Sequence, residues 1–404
     1  MLSSTLQIPI GLCKLSINPY FSVAMITSKL PATGTTIFTV MSALAKEHGA
    51  INLSQGFPDF PCPPALQAAL ERYIEEGFNQ YAHMAGAISL RQAIANKVAL
   101  TYGATINPET DVTVTAGGTQ ALFTAIACTI HAGDEVIYFT PAYDSYAPAI
   151  LLQGGKPIAI ELQHPSYNIP WQQAKDTITP RTRMIIINTP HNPSGTVMTA
   201  ADMKTLQELV RDTKILILSD EVYEHIVFDG ARHESVLRYP ELAARSFVVY
   251  SFGKTYHVTG WKMGYCIAPE ALMREFRKVH QYLVFSVNHP AQLAFGEIME
   301  TQPRLWQELP QFYQRKRDLF IKHLQGSRFT ISPSQGTYFQ LLGYENITDE
   351  LDTALAERWT KEVGVASIPV SVFYNPAVQS KVLRFCFAKS DEVLEAAAEK
   401  LCKI

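Results

Sequence analysis

From about residue 110 the chain alternates short β-branched apolar runs with longer stretches whose apolar residues recur every three or four positions. An apolar run without a polar face is stable only where both faces of a sheet are covered. The alternation therefore predicts an α/β fold, with βαβ units around a buried, mainly parallel sheet and helices on both sides. Strands are predicted at 112–115, 135–139, 157–160, 184–188, 215–219, 247–250 and 263–267, and helices at 119–130, 200–212 and 269–281. After about residue 300 the texture changes to a polar helix near 305–324, a strand pair near Phe329 and Tyr338, and a closing helix from Asp391. These elements suggest a second, smaller α+β domain.

With 404 residues and a hydrophobic fraction of 47%, the chain can fill such a core. Its formal net charge is −3 and it has no run of five like charges, which gives no support to nucleic-acid or anionic-membrane binding. It also lacks the stretch of about eighteen uncharged apolar residues that a membrane span needs. Six cysteines are scattered at 13, 62, 128, 266, 386 and 402 without a C-x-x-C pair, so a reducing, cytoplasmic setting is expected and no metal site is predicted. Residues 1–27 lack the order of a signal peptide and are expected to be a poorly ordered extension, with Met25 a candidate start of translation.

In open α/β sheets ligands bind beyond the carboxyl ends of the strands. Four polar groups fall there, each after a different apolar strand: Gly117-Gly118-Thr119, Asn192, Asp220 and the segment 251–254. Lys254, in Ser251-Phe252-Gly253-Lys254-Thr255-Tyr256-His257, directly follows the run 247–250. A buried ammonium is costly unless paired or neutralised, so a lysine here either covers apolar surface with its stem or serves as an amine nucleophile. Ser251 and Lys262 add a hydroxyl and a second cation beside it, a combination suited to pyridoxal phosphate, an aldehyde with a phosphate handle. Gly253-Lys254-Thr255 also matches the tail of an NTPase phosphate-binding loop. That loop needs glycine at position 248, where Val248 stands, and its acidic strand would follow rather than precede the lysine.

The other candidates each have a plain alternative. Gly118 and Thr119 open a helix whose free amides favour an anion, although glycine turns begin many helices that bind nothing. Asp220 ends an apolar strand and needs either a cation, such as a protonated pyridine nitrogen, or structural donors. Tyr223 and Asn192 can donate to a ring oxygen, or serve as a half-buried aromatic and a turn residue. Tyr143 offers a flat face to a cofactor ring or to the core. Gly56, in Gln55-Gly56-Phe57-Pro58-Asp59-Phe60, can bring backbone close to a substrate. Arg384, in Val382-Leu383-Arg384-Phe385-Cys386-Phe387, is either an edge residue reaching solvent or a fixed fork for a carboxylate.

Taken together, Lys254 with Ser251 and Lys262, Asp220 with Tyr223, the Asn192-Pro193 loop and Arg384 give the chain after residue 28 its resemblance to the fold-type I pyridoxal-phosphate aminotransferases of classes I and II. Segments 55–60 and 251–257 look most like the branch containing methionine, kynurenine and glutamine transaminases. The resemblance implies a Schiff base at Lys254, Asp220 on the pyridine nitrogen, and Asn192 and Tyr223 on the phenolic oxygen. It places the phosphate on Gly118, Thr119, Ser251 and Lys262, Tyr143 on the ring, and Gly56, Asn192 and Arg384 at the substrate. Tyr81 matches a position that reaches a phosphate in the partner subunit, which implies a homodimer with shared active sites. Lys262 stands where many relatives have arginine, keeping the charge and losing the fork.

The implied organisation is a segment 28–60 joining the small domain, a large cofactor-binding domain at 61–300 and a small domain at 301–404. The implied reaction moves the amino group of a large neutral amino acid, methionine first and aromatic or kynurenine-like donors next, to a 2-oxo acid in two half-reactions. A carbon–sulfur β-lyase acting on cysteine conjugates is the alternative enzyme. A regulatory protein with an aminotransferase-like domain would need a basic DNA-binding module before residue 30, and the short tail has none.

Overall fold

The structure, a computed structural model, describes residues 26–375 and 378–404, so what was expected of the N-terminal extension lies, but for residues 26 and 27, outside the described residues. A short strand, β1 (Ile51–Asn52), precedes seven strands that form one sheet. They are β2 (Val112–Thr115), β3 (Glu135–Thr140), β4 (Lys156–Glu161), β5 (Thr182–Asn188), β6 (Leu216–Asp220), β7 (Ser246–Ser251) and β8 (Gly264–Ile267). Their spatial order is β2-β8-β7-β6-β5-β3-β4. All neighbours are parallel except β8, which runs antiparallel to both β2 and β7.

Successive residues along these strands enter opposite cores, as the pleat requires. Ile185, Ile187, Val248 and Tyr250 join one core, while Met184, Ile186, Phe247 and Val249 join the other. The helices Ile88–Tyr102, Ala200–Val210 and His289–Thr301 contribute to the first, and Gly117–Ala127 and Glu270–Leu283 to the second. The sheet is thus covered on both faces, which is why its strands read as unbroken apolar runs.

After it come β9 (Thr330–Ile331), β10 (Phe339–Gly343), β11 (Val365–Ala366), β12 (Ile368–Pro369) and β13 (Val382–Cys386). Four of these form an antiparallel sheet in the order β12-β13-β10-β9, and β11 pairs in parallel with β1, Ile51 opposite Val365. In the small sheet Arg384 stands opposite both Leu341 and Ile368. The helices Leu309–His323 and Asp391–Leu401 pack on each other beside it.

Three expectations need correction. The polar helix near 305–324 is two helices, Arg304–Gln307 and Leu309–His323, because Pro310 has no N–H to continue the first and fits the opening turn of the second. The helix expected from 119 begins at Gly117, whose φ of 81° turns the chain straight into it. The strand expected to start at 263 starts at Gly264. Helix Ile88–Tyr102 escaped detection because it is buried on several sides, Arg91 and Lys97 included, so polar and apolar residues do not segregate along it.

Candidate active site

A cavity of about 240 Å³ opens at the carboxyl ends of β5, β6 and β7. It is lined by Gly56, Gly118, Thr119, Tyr143, Asn192, Asp220, Tyr223, Ser251, Lys254, Lys262 and Arg384, so the structure brings together every predicted site residue except Tyr81. Tyr81 is 80% exposed and rests edge-on against Phe285, with the ring centroids 5.0 Å apart.

One end of the cavity is built to take an anion. The helix Gly117–Ala127 starts there with no side-chain cap, so its first amides point outward with the positive end of the helix dipole behind them. Lys262 sits in a left-handed turn with φ 53° just before β8, and its side chain lies over Gly117. Glycine at 264 makes this approach possible. A Cβ there would stand 2.6 Å from the Tyr250 carbonyl and 3.0 Å from both the Gly117 carbonyl carbon and the Gly118 nitrogen.

In the middle, Asp220 closes β6 with only 3% of its surface exposed. Its carboxylate accepts from the Tyr146 hydroxyl at 2.6 Å and from the Val222 amide at 3.3 Å. Burial pushes the carboxyl up to about 6, against the pull of those two donors. Among the described residues no cation forms a salt bridge with it, and the Lys254 amine acts on it only through space. Tyr143 stands between this carboxylate and the anion end, hydrogen-bonded to Thr119 at 3.1 Å and edge-on to Tyr146.

Lys254 lies in the single helical turn Phe252–Thr255 that follows β7. Its amine donates to the Tyr338 hydroxyl at 2.8 Å and to the Gly56 carbonyl at 3.1 Å. Burial, with Arg384 and Lys262 nearby, lowers it to about 8, so the neutral amine forms at a lower pH than in an exposed lysine. Tyr223 is buried beside it and meets Tyr338 edge-on at 5.1 Å.

At the far wall Arg384 is 1% exposed, yet no carboxylate pairs with it among the described residues. It donates to the Asn192 side chain at 2.9 Å and to the Ser54 carbonyl at 3.0 Å, lies 4.0 Å over the Phe339 ring, and has an unpartnered Nε. Burial brings it down to about 10. A desolvated fork with spare donors is a site for a carboxylate. Asn188 links the two ends of this arrangement, donating to the Asp220 carbonyl and accepting from the Asn192 amide.

Sequence reading missed Tyr146, Asn188, Phe38, Tyr338 and Phe339. Asn188 carried the same signal as Asp220, a polar residue ending an apolar strand. Phe38, Tyr338 and Phe339 carried none, because only tertiary packing brings the helix Ile37–Glu47 and the entry to β10 here.

The residues present fit pyridoxal phosphate: an anion pocket, an unpaired buried carboxylate and a largely desolvated amine occupy one cavity in that order. Residues 48–401 match the family described as aminotransferase class I and II. The chain is 50% identical to the methionine aminotransferase of Escherichia coli K12, over 93% of this chain and 97% of that one. It is 33% identical to human kynurenine–oxoglutarate transaminase 1, over 89% and 93% of the two chains. The crystal structure of the Escherichia coli protein superposes with a TM-score of 0.93 over 94% of this chain and 100% of that one, at 50% identity. That of N-succinyldiaminopimelate aminotransferase from Mycobacterium tuberculosis gives 0.90, at 34% identity over 94% and 99%. With this match across nearly its whole length, the chain belongs to the class I and II aminotransferases and is a pyridoxal-phosphate-dependent transaminase.

Proposed function

We propose that this enzyme takes its amino group from a large neutral amino acid, methionine first and aromatic or kynurenine-like donors next, and passes it to a 2-oxo acid. The observation that carries this reading is the single cavity in which unpaired Arg384, amine Lys254 and unpaired Asp220 converge among apolar walls. Among the described residues no carboxylate apart from Asp220 lines it, and its cations apart from Lys254 are Lys262, at the anion end, and Arg384. One carboxylate of a substrate therefore has a partner in Arg384, and a second, as in aspartate, has none beyond the phosphate pocket. Phe38, Leu122, Val222, Met263 and Phe339 suit an apolar side chain and exclude water. The names of the relatives point the same way, and nothing in the cavity supports the β-lyase alternative.

In this reading Gly118, Thr119, Ser251 and Lys262 hold the cofactor phosphate, Tyr143 packs on its ring, and Asn192 and Tyr223 donate to its phenolic oxygen. When bound, the cofactor supplies an aldehyde for amine exchange and a ring that accepts the electron pair released at the substrate α-carbon. Asp220, charged and buried, holds a proton on the ring nitrogen. Arg384, steadied by Asn192, fixes the substrate α-carboxylate beside the Gly56 backbone. Lys254, once free, is the base that takes the α-proton and returns it one position away. Tyr81 would complete the site of a second subunit, giving a cytoplasmic homodimer. Segments 28–60 and 301–404 are read as the small domain, and 61–300 as the cofactor-binding one.

A single-turnover experiment tests this reading: methionine added without a 2-oxo acid should yield its own 2-oxo acid in an amount equal to the enzyme. In steady state methionine should exceed aspartate and ornithine severalfold in kcat/KM, and the reverse order would refute the donor assignment.

A further inference from the structure

The Lys254 amine has two hydrogen-bond acceptors, and the acceptors are bonded to each other. The Tyr338 hydroxyl lies 2.5 Å from the Gly56 carbonyl oxygen. A carbonyl has no hydrogen, so at that distance the phenol proton must lie between the two oxygens. With its only proton committed, the Tyr338 oxygen can accept from the amine but cannot donate to it. A neutral amine has two N–H groups and one lone pair. Both acceptors, the Tyr338 and Gly56 oxygens, lie on one side of it at 2.8 and 3.1 Å, so its N–H groups are drawn to that side. The lone pair is left facing the cavity that Lys254 lines.

We propose that Tyr338, with the Gly56 carbonyl, forms a cradle of acceptors that draws the hydrogens of the neutral Lys254 amine to one side and so turns its lone pair toward the cavity. The proposal rests on the transaminase reading above and adds a catalytic residue to it, since Tyr338 touches a reacting atom. Two features of the chain are explained by it. Glycine is required at 56, because a Cβ there would stand 2.8 Å from the Phe339 ring and keep the carbonyl from reaching Tyr338. Tyr338 itself is fully buried, and its ring is fixed edge-on or tilted against Tyr223, Tyr313 and Phe339 at centroid distances of 5.0 to 5.7 Å. The packing fixes the phenol oxygen beside the amine, and the Gly56 carbonyl 2.5 Å away holds its proton. The charged and titratable groups facing the amine are Arg384, Lys262, Asp220, Cys386 and Tyr223, and none of them hydrogen-bonds to it among the described residues.

Tyr338→Phe removes the acceptor and keeps the ring. Cofactor-free full-length enzyme is mixed with pyridoxal phosphate, quenched with borohydride at timed intervals, and the Lys254 peptide is quantified by mass spectrometry from pH 7 to 10. In parallel, the affinity for pyridoxine phosphate, which has no aldehyde, reports whether the pocket is intact. The expected result is trapping slowed about 3- to 10-fold above pH 8, the worth of one hydrogen bond, with pyridoxine phosphate affinity unchanged. Equal trapping rates would overturn the cradle, and so would an equal loss of pyridoxine phosphate affinity, which would mark a purely structural role. If the phenylalanine variant does not fold, Tyr338→3-fluorotyrosine keeps the shape and weakens the oxygen as an acceptor. A smaller slowing supports the proposal and none overturns it. Wild-type enzyme that never gives a Lys254 adduct would instead overturn the transaminase assignment of Lys254 and the cradle with it.

Discussion

The Tyr146 hydroxyl donates to the Asp220 carboxylate over 2.6 Å, and with the Val222 amide it supplies that buried charge with donors but no countercharge. Asp220 is thus held ready for a cation at a cost to the cofactor-free fold. The carboxyl, ordinarily near 3.8, is pushed up to about 6, chiefly by burial. The folded chain therefore binds this proton more tightly than the unfolded chain does. The stability it contributes is fully present below about pH 4 and lost as pH rises through 6, a change of up to about 3 kcal/mol. Asp220→Asn, uncharged throughout, is expected to stabilise the cofactor-free enzyme by about 1–3 kcal/mol at pH 8 and to give no gain at pH 4. Urea unfolding at the two pH values measures this, and a variant less stable than wild type at pH 8 would contradict it. The same variant should lose transamination by about 10²-fold or more, since the site then lacks its negative charge.

Arg384 should not tolerate lysine. Its fork bridges Asn192 and Ser54 while leaving donors free, and one ammonium cannot reproduce that geometry. Charge-assisted hydrogen bonds are worth about 1.5–3 kcal/mol, so Arg384→Lys should raise KM for methionine about 10- to 150-fold. Steady-state kinetics decide it, and an unchanged KM would remove Arg384 from the substrate site.

Gly264→Ala should loosen the anion end without touching any polar group. The new Cβ would press on three backbone atoms at 2.6 to 3.0 Å, two of them in the Gly117-Gly118 turn. Overpacking of this kind costs about 1–3 kcal/mol, and the turn that must shift carries the amides proposed to hold the phosphate. A lower melting temperature together with weaker retention of pyridoxal phosphate on dialysis is the expected outcome. A stability loss with cofactor affinity intact would dissociate the turn from the phosphate.

Tyr81 gives a direct test of shared active sites. Tyr81→Ala and Lys254→Ala subunits, each poorly active alone, would form mixed dimers in which one site has both residues intact. Random reassociation should then restore up to about a quarter of wild-type activity. If mixing restores none while Tyr81→Ala alone is impaired, Tyr81 does not act in a partner's site.

The sequence by itself determined the large sheet and most of the polar stations. Strands buried on both faces must read as apolar runs, and polar residues at or just beyond their ends mark where ligands bind, which is how Asp220, Asn192 and Lys254 stood out. Local turn chemistry likewise marked Gly118 and Thr119. What it could not determine were contacts made between distant segments. Gly56 and Tyr338 lie 282 residues apart and Asn192 and Arg384 lie 192 apart, and no periodicity links such pairs. Nor could it reveal that, among the described residues, Arg384 is buried without a carboxylate partner and Asp220 without a salt bridge. Those states depend on which groups the small sheet and the strand ends bring within about 3 Å, and tertiary contacts such as that of Arg384 with Asn192 decide that.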